Sequence, residues 1–543
     1  MNAMPGMQDE AAEIIKQHAE MKAERANYEP VWQEIATFTD PGNAQYTTKM
    51  LSPGQRNDER VFESTAQRAI ANFGAIMQSS LTPAGQNYQK VTVSDPDLAE
   101  NDNVKRWLED TTTRLFKYRN ASASNFPQAL GEVFKSLGGP GTGCLYTELM
   151  PGAGPRYTAI HLSEIYISQD FTGRINKVHR EFEWTARQIV AKWGPQVPQQ
   201  IMTAFENTPE RKFTIIHAVC ENNYRQPWRM DLPGMPYKSV YVPNDFRQVL
   251  GRGGYWTFPY HVTRFDTKVR EVYGRSPAWE ALADIKMLNE ASRTMIRQAT
   301  MAAAPPLLLF DDGVLQNFSI RPDALNFGGV NESGQQLVHP LQTGASFPIA
   351  REEMEQRRRA VESSFLITLF SILAEKPNMT ATEVLERAGE KAVFLQPVIG
   401  RQRSELLGPM TEREIDMLER AGALLPRPEE IQNMELRFEY DSLATRAARA
   451  PEAAGFFRTV EGIVPLLQVK PDLINTFNAD EVVRGLAEIN GVPLKWIRSK
   501  EEVAAMEEAQ ASQQQAQQML AAAPVVSETA LNVAKANEIQ AGL

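Results

Sequence analysis

Apolar residues recur at helical spacing through much of the first 120 positions. Between residues 8 and 27, Ala11, Ile14, Ile15, His18 and Met21 fall on one side of a predicted helix. Pro30 suits the first turn of a second, shorter helix carrying Val31, Trp32 and Ile35. The pattern predicts another helix from Asp58 to Ser80, with Val61, Ala69, Phe73, Ile76 and Met77 inward, stopped by the Pro and Gly of Leu81 to Gly85. Tyr88 to Val93 alternates as a strand does, and Val104 to Tyr118 returns to helical spacing around Trp107, Leu108, Leu115 and Phe116.

From Gly143 to about Tyr260 the apolar runs become short, β-branched and punctuated by Gly, Pro and Asp. They predict a mixed sheet, interrupted by a helix at Thr185 to Trp193. After Gly274 the period lengthens again. Ser276 caps and Pro277 opens a helix of 27 residues, about 40 Å long at ~1.5 Å per residue, with Leu282, Ile285, Leu288, Met295 and Ala299 in phase. Lys286, Glu290, Arg293 and Arg297 form a polar stripe beside that face. A segment with short loops, residues 304–345, separates it from a second helix predicted over 348–373, with Met354, Val361, Phe365, Leu369 and Ile372 inward. Two helices of nearly equal length flanking a small insertion predict an antiparallel pair with a module at its tip. Residues 374–379 form a short polar break, and Thr380 to Glu383 read as a capping box. Pro397 and Pro409 are expected to kink or divide the helical run that follows. The chain beyond Leu443 is helical and segmented, and a capping box at Ser499 to Glu502 opens an Ala/Gln/Glu-rich tail that loses order.

Candidate chemistry is sparse. Gly138 to Gly143 is Gly-rich and precedes a strand, but Cys144 and Leu145 stand where a phosphate loop needs Lys and Ser or Thr, so a structural turn is expected. His18, His161, His179, His217, His261 and His339 show no metal-binding spacing, and His18 reads as a satisfied partner on its helix face. Cys144 and Cys220 form no disulfide framework and are expected as small buried side chains. No serine-hydrolase elbow is present. No metal, cofactor or catalytic residue is predicted, and no membrane span or export signal.

Charge refines the picture. Of a net −10, the tail 501–543 holds six Glu against one Lys, so the body is only mildly acidic. That argues against a simple phosphate-gripping protein but permits a surface past which DNA slides without sticking. The run Arg357 to Arg359 has Glu352, Glu353 and Glu355 beside it, with Glu353–Arg357 and Glu355–Arg359 as i,i+4 pairs, and reads as a solvated helix face more readily than as a DNA contact.

Several blocks together resemble the head-to-tail connector (portal) proteins of short-tailed bacteriophages, over about Arg25 to Glu508. They are residues 61–83, 103–110, 124–130, 141–146, 167–194, 273–290, 380–391 and 490–503, in that order. The resemblance implies a predominantly helical α+β fold, assembled as a ring of about twelve copies around a double-stranded DNA channel at one capsid vertex, in particles built in the host cytoplasm. On that plan residues 1–273 and 380–445 are wing, 274–303 and 346–373 the stem, 304–345 the clip, 374–379 a channel loop and 446–500 the crown. The packaging ATPase (terminase) and tail adaptors would dock on the clip, where Asp311, Asp312, Arg321 and Asp323 are candidates. Major capsid and scaffolding proteins would surround the ring. Channel candidates are Lys376, Asn378, Lys286, Arg293, Arg297 and Arg358. Two other classes are set against this reading: a non-ring helical scaffold or adaptor, and a nuclease or packaging enzyme without a recognised motif.

Overall fold

The computed structural model describes residues 7–47, 55, 57–85, 87–95, 98–99, 101–303, 307–309, 330, 333–336, 338–340, 347–367, 396–432, 434–440, 455–463 and 478–489, with scattered positions between 503 and 513. The chain divides into two units, 1–380 with 390–445, and 381–389 with 446–543.

Helix α1 (Met7–Arg25) buries Ala11, Ile14, His18 and Met21, as its period requires. It also buries Arg25. That guanidinium stacks 3.7 Å from the Tyr166 ring centroid and donates to the carbonyls of Leu162, Ser163 and Ile165. Helix α2 (Glu29–Thr39) carries Pro30 in its first turn and buries Trp32 and Ile35. Helix α3 begins only at Thr65 (Thr65–Leu81), so the expected helical stretch 58–64 is corrected to a strap. Asn289 explains it: its side chain accepts from the Phe62 N–H at 2.8 Å and donates to the Arg60 carbonyl at 3.0 Å, claiming backbone groups a helix would use. Strand β1 (Gln89–Val93) and helix α4 (Asp102–Arg119) follow the pattern. Helix α5 (Phe126–Gly138) had not been anticipated, although Phe126, Ala129, Leu130, Val133, Phe134 and Leu137 make a complete buried face.

The β-rich region folds as β2 (Thr142–Met150), β3 (Gly154–Ile160), β4 (Ile165–Gln169), β5 (Ile175–Thr185), β6 (Lys212–Glu221), β7 (Tyr237–Pro243), β8 (Gly251–Tyr255) and β9 (Tyr260–Arg264). Helices α6 (Ala186–Trp193) and α7 (Gln199–Asn207) lie between β5 and β6; Thr185 and Gln188 make the capping box of α6. The strands form two sheets, β3-β2-β9 and β4-β5-β6-β7-β8, and every pairing is antiparallel. The expectation of a mixed sheet is therefore corrected. Most connections are hairpins, whereas parallel strands require long crossovers. Gly141, at φ +92°, lies so close to the Gly274–Arg275 backbone that a Cβ there would fall 2.6 Å from the Arg275 carbonyl carbon. The Gly-rich segment is a packing turn.

Helix α8 (Pro277–Ala303) has the predicted bounds, and the Ser276 hydroxyl accepts from the Trp279 N–H at 2.9 Å. Strands β10 (Leu307–Leu309) and β11 (Val338–Pro340) pair inside the insertion. Helix α9 (Phe347–Ser364) packs on α8 but stops short of the expected Leu373. Leu366 adopts a left-handed φ of 60°, its N–H bonds to the Ser363 carbonyl, and Ser364 turns its hydroxyl back to Ala360. Serines that compete for backbone groups weaken a helix end in this way. Leu369, Ile372, the 374–379 break and the cap at Thr380 lie outside the described residues. Early residues of α8 (Ala278, Ala281, Ile285) share a core with Val361, late in α9, and with Phe365 just after it, which makes the pair antiparallel.

Pro409 does not break its helix. Helix α10 (Gly408–Arg420) is preceded by a wide turn, Arg403–Leu407, in which the Gly408 N–H reaches back to the Arg403 carbonyl. The extra residue in that turn gives the proline ring room. Residues 380–445, expected to be helical, also contain strand β12 (Leu436–Tyr440), which pairs antiparallel with β1. In the second unit, residues 455–463 and α11 (Ala479–Ile489) are helical.

A buried polar cluster joins α4, β1, β3 and α10. Arg119 and Glu414, each with 1% of the side chain exposed, pair at 2.6 Å. Arg119 also donates to Thr411 at 2.6 Å, Gln89 at 2.9 Å and Tyr88 at 3.3 Å, and the Tyr157 hydroxyl donates to Glu414. Burial opposes the charge on Arg119, but Glu414, Tyr88 and Tyr157 together outweigh it and hold the guanidinium firmly protonated.

Removing one partner strands the other in a dry interior. Glu414→Ala is expected to cost ~3–5 kcal/mol in denaturant unfolding, and Arg119→Met with Glu414→Leu considerably less. Equal losses would place the energy in packing and not in the charge. Asn289→Leu is expected to cost ~1–3 kcal/mol and to deprotect the Phe62 amide in hydrogen exchange; unchanged protection there would refute the strap assignment.

Candidate functional site

The antiparallel pair α8–α9 is the feature that most distinguishes this fold. Its base is embedded: Pro277, Ala278, Ala281, Ile285, Leu288 and Ser292 of α8 are buried, together with Met354, Val361 and Phe365 at the α9 side. Beyond Ser292 the helix leaves the core. Met295 is only half-buried and Ala299 is exposed, which corrects their expected inward placement. The distal half of α8 therefore offers surface on most sides, with Ile296 and Met301 each about half exposed.

Most basic side chains along the pair have a carboxylate partner. Lys286 meets Glu34 of α2 at 2.6 Å. Arg293 reaches Glu290 at 3.2 Å, with its guanidinium 5.4 Å from the Phe62 ring centroid. Arg358 meets Glu63 of the strap at 3.2 Å and Glu355 at 3.3 Å. Arg357 bridges the two helices to Asp284 at 2.8 Å and also pairs with Glu353. Arg359 lies 3.8 Å from Glu355. Arg297 and Arg351 are exposed and have no ion-pair partner among the described residues. Lys376, Asn378, Asp311, Asp312, Arg321 and Asp323 lie outside the described residues.

Individually such partly exposed pairs stabilise by only ~0–1 kcal/mol. Collectively they offset much of the positive charge along the helix pair, so a phosphate approaching Lys286, Arg293 or Arg358 must compete with a carboxylate already in place. Sequence spacing identified the pairs within α9, Glu353–Arg357 and Glu355–Arg359. It missed Glu34, Glu63 and Asp284, which come from distant segments and become neighbours only when α2, the strap and α8 converge.

No reactive constellation accompanies this surface among the described residues. Among the described residues no three His, Cys, Asp or Glu side chains are grouped to hold a metal ion. His217 is buried between the Tyr260 and Ser239 hydroxyls at 2.7 and 2.8 Å, and burial lowers its pKa well below the usual imidazole range. His179 and His261 are likewise buried, and both are pushed down to about 3. His18 lies 3.4 Å from Glu181. Burial raises the thiol pKa of both Cys144 and Cys220, and neither is disulfide-bonded. Among the described residues no helix is long and apolar enough to cross a membrane.

Comparison with known proteins bears on the same chain. A "Probable portal protein" of Bordetella phage BPP-1 is 28% identical over 522 residues, covering 95% of this chain and 93% of that protein. A "Portal protein" of Salmonella phage epsilon15 is 26% identical over 521 residues, covering 94% and 93% respectively. A family model described as bacteriophage head to tail connecting protein matches residues 11–497. An antiparallel helix pair set on an α+β body, a largely neutralised helix surface and a match running through both units lead to one assignment: the chain belongs to the bacteriophage head to tail connecting protein family.

Proposed function

We propose that the chain is a portal subunit: a structural virion component, not an enzyme, that assembles as a ring of about twelve copies at one capsid vertex and conducts double-stranded DNA. The observation that carries this reading is the near end-to-end match, in both directions, to two proteins named as portals. In this assignment α8 and α9 are the stem, residues 304–345 the clip that seats the packaging ATPase and tail adaptors, and residues 1–273 with 380–445 the wing. Residues 446–500 are the crown. Major capsid and scaffolding proteins surround the ring, and assembly takes place in the host cytoplasm.

The paired cations of the helix surface support a conduit. A bore whose Lys286, Arg293 and Arg358 are already engaged offers the phosphate backbone few sites at which to stall. Lys376 and Asn378, in the 374–379 loop, are assigned to the DNA path, where one flexible ammonium per subunit can pass from phosphate to phosphate without a bidentate lock. Arg297 is a further candidate for that path. Asp311, Asp312, Arg321 and Asp323 are assigned to the docking surface of the clip.

Complementation of particles lacking this chain tests the assignment. Deleting residues 304–345 is expected to abolish DNA packaging and tail attachment, and Lys376→Glu to reduce the DNA retained while the ring still forms. Normal filling by the deletion chain would overturn the clip, and normal filling and retention with Lys376→Glu would remove that residue from the DNA path.

A further inference from the structure

The loop between β6 and β7, residues 222–236, carries two large side chains in open solvent: Trp228 is 79% exposed and Met230 78%. The loop itself is braced. The Asn222 side chain donates to the Met235 carbonyl at 3.1 Å, Arg225 to the Gly234 carbonyl at 3.0 Å, and the Gln226 N–H to the Pro233 carbonyl at 2.8 Å. Gly234 packs so tightly under the tip that a Cβ there would overlap the Arg229 carbonyl. Arg229 and Asp231, both about half exposed, pair beside Trp228, with Nε to Oδ1 at 2.7 Å. A rigid loop presenting Trp and Met to water, flanked by an ion pair, has the composition of an interface anchor.

Elsewhere in the same unit, α3 and α5 form an open groove of about 510 Å³. Gly74, Ala75, Ala129 and Gly131 leave its floor shallow, and Glu132 and Lys135, also about half exposed and paired at 2.9 Å, stand on its rim. The tip of the knob and the rim of the groove thus each carry an ion pair, so a docked pair can exchange partners, Arg229 with Glu132 and Lys135 with Asp231.

We infer that the Trp228 loop of one copy of this chain seats in the α3–α5 groove of the next. A closed ring needs two different, mutually complementary surfaces on every copy, and these two supply an apolar projection, a recess and matching charge. The inference rests on the proposed ring. It specifies where one copy meets its neighbour.

Native mass measured against concentration on the full chain tests it. Trp228→Ala is expected to raise the concentration needed for assembly roughly thirtyfold or more. Reversing the knob (Arg229→Glu with Asp231→Lys) or the rim (Glu132→Lys with Lys135→Glu) should each weaken assembly, and both reversals in one chain should restore it. Circular dichroism matching the parent chain confirms that each variant is folded. Wild-type assembly by all of the single-surface variants, or a combined variant no better than either reversal, would overturn the inference and leave the knob to another protein of the particle. A parent chain that forms no ring would instead remove the portal reading on which the inference stands.

Discussion

Burying a guanidinium and a carboxylate together costs several kcal/mol per ion unless nearly every donor and acceptor finds a partner. Arg119 and Glu414 meet that requirement, and meeting it dictates much of the surrounding structure. They stand 295 residues apart in the chain, and their remaining partners come from β1, β3 and α10. The β1–β12 pairing lies immediately beside them and closes the same long excursion of the chain. Everything between, including both sheets and the α8–α9 pair, is inserted between two segments that this cluster holds together. A single apolar core then continues from the cluster outward. Tyr157, Leu406, Leu407 and Met410 share it with Ala278, Ile285, Val361 and Phe365, so the base of the helix pair is set in the same interior that encloses the ion pair.

That anchoring bears on how the helix pair works. A helix whose first half is embedded and whose second half emerges from the core is a rigid arm, with little freedom at its root. The carboxylates of Glu34, Glu63 and Asp284 add lateral fixings and remove free positive charge at the same time. For a subunit proposed to line a DNA path both effects matter, since the wall has to hold its shape and offer phosphates little to grip.

Several helices were legible in the sequence where periodic apolar residues met a clear punctuation signal, although α5 was not, despite its apolar face and Pro127 in its first turn. Ser276-Pro277 gave the start of α8, and the helix expected at Thr185 to Trp193 forms as α6 with Thr185 as its cap. Signals failed where distant partners decided the local structure. Residues 58–64 continue a helical pattern but are drawn into a strap by Asn289, more than 200 positions away. Strand β12 is short and half polar, and only β1 gives it a reason to be extended. Arg119 and Arg25 drew no attention in the sequence, because nothing local reveals the groups that bury them. The carboxylates that quench Lys286, Arg358 and Arg357 were hidden for the same reason, whereas the pairs within α9 followed from i,i+4 spacing alone. Gly408 and the wide turn before Pro409 belong to the same class: the proline was visible, and the device that accommodates it was not.

The central claim, that this chain is a ring-forming portal subunit, is tested most directly by the mass and image of the purified protein in solution. The account predicts closed rings with an axial opening in electron micrographs and a species of about twelve times the chain mass of 60.9 kDa. It also predicts that the ring persists in reducing buffer, since Cys144 and Cys220 are not disulfide-bonded. A protein that stays monomeric at every concentration, or forms open and irregular oligomers without a central opening, would contradict it.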